Sequence, residues 1–345
     1  MEIKEYLLKD ICKFETGIDP LLSEKNGNFP FIKLGNTTGN KINYDFSEKI
    51  NTNRKEMAKN GDLLLCWSCS VGKSFIVEKD CFFSTAFYKL INLKNIYLNK
   101  YLYYFFQKNE NIISKLAIGS VLKKANMNIL GNYKVNLPNI KTQQKIINII
   151  EPFEKLQNSL KKKINTLETM MLKIANQSYV LGKMKNFDID FEKGINIKSI
   201  YLTNQKTDKT FINVSAINNK PNKYLLNCEV IENINYGDVV LSLDGTIGLV
   251  NNFLKGVNGY GYKVTSNNIH NSIIYCSLID ERNKKIIQEN SNGSVIKHSS
   301  NSKKELLLLD IQNKNVISFF NLQVIYKKTL NIIDYIIDKL INLCL

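Results

Sequence analysis

Gly61-Asp62-Leu63-Leu64-Leu65, followed by Val71-Gly72, returns 176 positions later as Gly237-Asp238-Val239-Val240-Leu241 followed by Ile247-Gly248. Downstream the offset is 174: Phe87-Tyr88-Lys89-Leu90 answers Gly261-Tyr262-Lys263-Val264, Tyr101 answers Tyr275, Ile112-Ile113 answers Ile286-Ile287, and Gly119-Ser120-Val121 answers Gly293-Ser294-Val295. Upstream, Phe31-Ile32-Lys33 pairs with Phe211-Ile212-Asn213 at 180, and Glu15-x-Gly17-Ile18 with Glu192-x-Gly194-Ile195 at 177. An order this constant predicts a tandem duplication, in which small drifts mark loop insertions. Each half begins with short β-rich segments such as 62–67 and 238–243 and continues into a helix, 99–116 or 271–288. A strand follows, 133–137 or 305–309, and then a long helix. The fold class is therefore α+β, made twice.

The long helices are the clearest local signal. Over 143–179 the apolar residues Ile146, Ile149, Phe153, Leu156, Leu160, Ile164, Leu167, Met171 and Ile174 step by three or four, as in a coiled-coil seam. The C-terminal segment, a helix expected over 311–343, repeats it, with Ile317, Phe320, Val324, Leu330, Ile333, Ile337, Leu340 and Cys344 on one stripe. Lys161-Lys162-Lys163 and Lys327-Lys328 interrupt these narrow stripes, so neither helix is stable alone, and antiparallel pairing is expected.

Composition narrows the function. The 345 residues are 44% hydrophobic and 23% charged, enough for real cores. Lys+Arg 47 against Asp+Glu 31 leaves a net charge of +16, which points to a polyanion, nucleic acid first and an anionic membrane second. Part of that charge reflects Lys/Asn/Ile-rich usage, since Arg54 and Arg282 are the only arginines. No run approaches the ~18 apolar residues of a membrane span, and the start has no signal-peptide core, so a cytoplasmic location is expected. Seven irregularly spaced cysteines read as reduced thiols.

Catalytic groupings are sparse. His270 and His298 have no H-x-x-x-H or Ser-His-Asp context, and His270 reads as structural. Gly72-Lys73-Ser74 resembles the end of a phosphate loop, but Trp67 stands where its first glycine belongs. Cys66-x-x-Cys69 lacks a second pair, and no (D/N)PP(Y/F) motif of an adenine-N6 methyltransferase occurs. Polar loops at matched places are the better candidates. Lys123, Lys124 and Asn126, with Lys297, His298 and Asn301, offer cations for phosphates and polar groups for base edges. Asn36, Thr38 and Lys41, then Asn218 and Lys220, follow matched strands, and Lys73 and Ser74 follow a tight glycine turn.

With the repeat, the helices and these loops, the chain resembles the specificity (S) subunit of type I restriction-modification systems. The resemblance rests on 61–65 with Val71-Gly72, on Asn99-Lys100-Tyr101-Leu102-Tyr103-Tyr104-Phe105-Phe106, on Gly119-Ser120, and most on Val135-Asn136-Leu137-Pro138-x5-Gln144-Lys145-Ile146. The second half departs, with Leu309-Asp310-Ile311-Gln312 at the corresponding junction. The resemblance implies two pseudo-twofold-related target-recognition domains, 1–138 and 184–310, each reading half of a split double-stranded DNA sequence. They are joined by the spacer helix 139–183 and the C-terminal helix 311–345, paired antiparallel. It further implies two docked modification (methyltransferase) subunits that carry S-adenosylmethionine, a restriction subunit that can join, no membrane role, and no catalytic residue, cofactor or metal in this chain. The alternatives are a diverged stand-alone DNA-modifying enzyme and a helical scaffold with no DNA role.

Overall fold

The structure is a computed structural model and describes residues 3–19, 24–45, 47–51, 56–119, 122–205, 207–219, 223–226, 229–293 and 297–345. The chain folds as two compact units, one of Met1–Leu156 with Asp334–Leu345 and one of Gln157–Ile333. Among the described residues no helix is long and apolar enough to cross a membrane.

The Gly-Asp-Leu-Leu-Leu stretch is a turn followed by a strand buried on both faces. Gly61 and Gly237 take positive φ (90° and 100°), which a side chain would resist. Asp62 Oδ2 accepts from the Lys59 N–H (2.8 Å), as Asp238 Oδ2 does from the Asn235 N–H (2.9 Å), so the aspartates close the two turns alike. The Asn99 and Asn271 amides each donate to the turn glycine's carbonyl at 2.9 Å, tying it to the start of the following helix. Along strand Leu63–Cys66, Leu63 and Leu65 enter the core under helix Asn99–Ser114, and Leu64 and Cys66 enter a second core behind it. Val239 and Leu241 against Val240 divide in the same way. This two-sided burial explains an unbroken apolar run where a half-exposed strand would alternate.

In the first unit that strand belongs to an antiparallel sheet ordered Cys12–Thr16, Phe87–Asn92, Leu63–Cys66, Ser74–Ile76. In the second the order is Asp190–Lys193, Tyr262–Thr265, Val239–Leu241, Val250–Asn251. A second sheet in each unit contains one parallel pair, Phe31 beside Phe82 and Phe211 beside Val257. The repeated Gly17 and Gly194 serve these sheets, since a Cβ would lie 2.2 Å from the Phe83 carbonyl or 2.7 Å from the Asn258 carbonyl. A ribbon closes each unit, Ile3–Leu7 with Lys134–Pro138 and Tyr179–Lys183 with Leu307–Asp310.

Three expectations about helices change. The segment 271–288 is two helices, Asn271–Ile279 and Glu281–Glu289, because Asp280 is extended (φ −64°, ψ 143°) and its carboxylate accepts the Arg282 N–H at the start of the second. The central helix is Ile140–Gln177 rather than 143–179, since Asn139 caps it by accepting the Thr142 N–H (2.9 Å). The terminal helix is Asn315–Cys344 rather than 311–343, opened by Asn313, which accepts from the Asn315 N–H.

In the first unit Ile146, Ile147 and Ile150 of the central helix share a core with Ile337, Leu340 and Ile341 near the end of the terminal helix. In the second unit Met171 and Ala175 share one with Val316, Phe320 and Val324 near its beginning. The two helices run antiparallel. The seam itself is shifted from expectation: Ile149, Leu156 and Ile317 are 48%, 46% and 41% exposed. Counting back from buried Leu160 in alternating steps of three and four gives Gln157, Phe153, Ile150 and Ile146, so a polar residue takes the step assigned to Leu156. Lys161, Lys162 and Lys163 are exposed, whereas Lys327 is part of the packing. Its ammonium pairs with Glu168 (3.2 Å) and donates to Asn252 Oδ1 (3.2 Å), and burial pushes it below the usual lysine range. Fully buried Gln323 donates to Glu168 and accepts from Asn252, so this polar layer is satisfied.

Candidate nucleic-acid interface

In each unit the loop after the central strand is zippered to the loop after the helical segment. In the first, the Ala125 N–H donates to Trp67 O (2.9 Å), the Cys69 N–H to Lys123 O (2.9 Å), and Ile118 and Lys124 exchange both backbone bonds. In the second, the Ser299 N–H donates to Leu243 O (2.8 Å), Asn292 and His298 exchange both bonds, and Asp244-Gly245 pairs with Lys297-His298. Lys123 therefore corresponds to Lys297 and Lys124 to His298. Asn126 corresponds to Ser300 and not to Asn301, an equivalence that loop chemistry alone did not reveal.

Beneath each zipper lies a matched tyrosine. Tyr88 pairs with Thr16 and Leu65, and Tyr262 with Lys193 and Leu241. Trp67 stacks on Tyr88 (5.3 Å between centroids, 20°), with the Lys124 ammonium 5.8 Å over the indole. Lys303 stands 4.4 Å over Tyr262, with Lys193 at 5.9 Å. Burial, reinforced by Lys193 and opposed by Asp244, lowers the Lys303 ammonium from its ordinary range. Lys73, Lys115 and Lys123, with Cys69, Glu110 and Ser114, line a hollow of about 300 Å³ in the first unit. Such surfaces present ammonium groups and flat rings together, the chemistry that holds phosphates and packs against nucleotides.

The other candidates divide. Lys123, Lys124, Lys297, His298 and Asn301 are exposed, and Lys73 is half-buried. Ser74 is a correction: it is 1% exposed and its hydroxyl points to the Tyr103 carbonyl (3.4 Å), because its strand is covered by the helix. Asn126 is exposed, but its Oδ1 is used as a cap for helix Met127–Gly131, accepting from the Ile129 N–H (3.1 Å). Asn36 Oδ1 likewise accepts from the Lys33 N–H inside its own turn. Thr38 and Lys41 face each other across a short hairpin, tethered by the Tyr103 hydroxyl to Asn40 O rather than joined to the zipper. Asn218 ends helix Val214–Ile217, whose Val214 packs beside Gly245 and brings that turn alongside the second zipper. Lys220 lies outside the described residues, as do Ser120, Val121, Ser294, Val295 and Ile296.

His270 caps helix Asn271–Ile279, accepting the Ser272 N–H through Nδ1, and packs edge-on against Phe320. Burial pushes the Cys12, Cys81 and Cys276 thiols up to about 12, so they are inert core thiols, while Cys66 is buried and Cys69 exposed. Trp67, Lys193, Asp244 and Lys303 were not singled out from the sequence. The repeat of Tyr88 and Tyr262 was their available signal, but their contacts depend on strand pairing across long sequence separations.

The fold and these loops define a duplicated α+β protein on two long antiparallel helices, with one cationic loop framework in each unit. Residues 1–169 match the family model of the type I restriction modification DNA specificity domain. The chain is 30% identical over 142 residues to a putative type I restriction enzyme specificity subunit of Haemophilus influenzae, a match covering 39% of this chain and 35% of that protein. It is 26% identical over 116 residues to the type I restriction enzyme MjaVIII specificity subunit of Methanocaldococcus jannaschii, covering 34% and 27%. The matched stretches thus span about a third of the length of these relatives. The crystal structure of a type I restriction-modification S subunit from M. genitalium shares the fold, with a TM-score of 0.60 at 15% identity over 99% of this chain and 95% of that one.

Proposed function

We propose that this chain is the DNA-specificity subunit of a type I restriction-modification complex and that its two units read the two halves of an asymmetric, bipartite double-stranded DNA target. The reading assigns domains at 1–138 and 184–310, with the helical segments 139–183 and 311–345 setting the spacing between half-sites. Two modification subunits dock on it, bringing S-adenosylmethionine and the adenine-methylating site, a restriction subunit can join, and the complex works in the cytoplasm. The chain itself supplies recognition and no catalytic group. One observation carries this reading: the same zippered framework, with an aromatic floor and cationic or imidazole side chains, is built twice from different residues. Different contents on one framework suit a target whose halves differ.

The test is the affinity of the assembled complex for duplex DNA as salt is varied. Each neutralised phosphate contributes about one unit to the slope of log K against log salt, so Lys124→Ala is expected to reduce that slope by about one and weaken binding to all sequences alike. Salt-independent affinity, or a slope unchanged by combined Lys123→Ala and Lys124→Ala, would contradict the reading.

A further inference from the structure

We infer that Asp244 and His298 act as one base-reading pair of the second unit, the carboxylate orienting the imidazole so that Nε2 is the atom offered to DNA. This rests on the proposed DNA-recognition function and assigns a role to Asp244, which composition and loop position left unremarked.

The argument begins with an exchange at one place. Ser68 and Lys124 are bridged in the first unit, and Asp244 and His298 are bridged in the second, at offsets of 176 and 174. The backbone bonds around them are retained, while a lysine over an indole in one unit is replaced by an imidazole on a carboxylate in the other. Framework kept and chemistry changed is the arrangement expected of a position that sets which bases are read.

The geometry then fixes which atom is presented. His298 Nδ1 lies 2.8 Å from Asp244 Oδ1. An ionised carboxylate only accepts, so Nδ1 carries the proton and donates, and in the neutral ring Nε2 is left with its lone pair. Among the described residues Nε2 has no partner, and the ring is 61% exposed above a carboxylate that is 21% exposed. The other carboxylate oxygen faces Lys193 at 3.7 Å, so the anion is held from both sides. Such a ring accepts a hydrogen bond from an exocyclic amino group on a major-groove base edge, adenine N6 or cytosine N4, whereas Lys124 can only donate, to phosphate or to guanine O6 and N7. Asp244 is thus a positioning residue and His298 the contacting one, with neighbouring Lys297 left to phosphate.

The experiment expresses the full chain in its host as wild type, His298→Ala, Asp244→Asn or Lys297→Ala, and sequences methylated adenines genome-wide. Exposed His298 is removable without loss of fold, and Asp244→Asn is close to isosteric. Both are expected to relax the same single position in one half of the methylated motif, leaving the other half and the spacing intact, while Lys297→Ala lowers the extent of methylation with the motif unchanged. If the motif is unchanged in both His298→Ala and Asp244→Asn while methylation persists, or if the two relax different positions, the pair does not read a base. If methylation is lost in either, binding of that assembled complex to duplexes varied at each position decides, and uniform weakening overturns the proposal. Wild-type methylation that does not depend on this gene would instead overturn the proposed function.

Discussion

Exchange of residues 186–310 for the matching segment of a related chain should replace one half of the methylated sequence and leave the other half and the intervening spacing as they were. The expectation follows from packing. The second unit builds its own cores from residues such as Val239, Leu241, Tyr262, Ile274 and Leu309, and its zipper closes on residues of the same unit. Cores that do not share side chains change independently, as distant sites generally do. The part of the second unit to be retained is the seam, in which Met171 and Ala175 meet Val316, Phe320 and Val324. Sequencing methylated adenines after the exchange reads the result directly. A change in both halves together would mean that the units do not read separately.

Leu167→Asp is expected to destabilise the protein by about 3–5 kcal/mol, because Leu167 is 9% exposed in the seam and an aspartate there is an unpaired charge removed from water. In a unit of this size that lowers the thermal midpoint by on the order of 10 °C. Leu156→Asp is the informative control. A regular apolar count puts both residues on one stripe, but Leu156 is 46% exposed, so its replacement should change stability by less than about 0.5 kcal/mol. Thermal or denaturant unfolding of the two variants checks the seam and its register together. Equal losses would restore the simpler stripe.

The duplication was legible because its landmarks are backbone requirements rather than chemistry. Gly61 and Gly237 are set by positive φ, Gly17 and Gly194 by a carbonyl within 3 Å, and the two aspartates by the turn they close. The antiparallel helix pair was legible from its period. Its register was not, because Gln157 takes one step of the seam, while Gln323 and Lys327 stand in the packing satisfied by Glu168 far along the chain, and such polar residues are invisible to an apolar count. Helix ends moved for the same reason that several site candidates did: asparagine and aspartate serve as caps as readily as they read bases, and Asn126, Asn139, Asp280 and Asn313 are all spent on backbone N–H groups. The matched loops were found from the sequence. Their aromatic floors were not, since Trp67 meets Tyr88, and Lys303 meets Tyr262, only after the sheets have formed.

The most direct test of the account is to map methylated adenines in the source genome before and after deletion of this gene, with restoration by the intact chain. The account predicts that one bipartite motif with two unlike halves and a fixed spacing disappears on deletion and returns on restoration. Persistence of every methylated motif after deletion, in a host where the modification subunit is expressed, would contradict it.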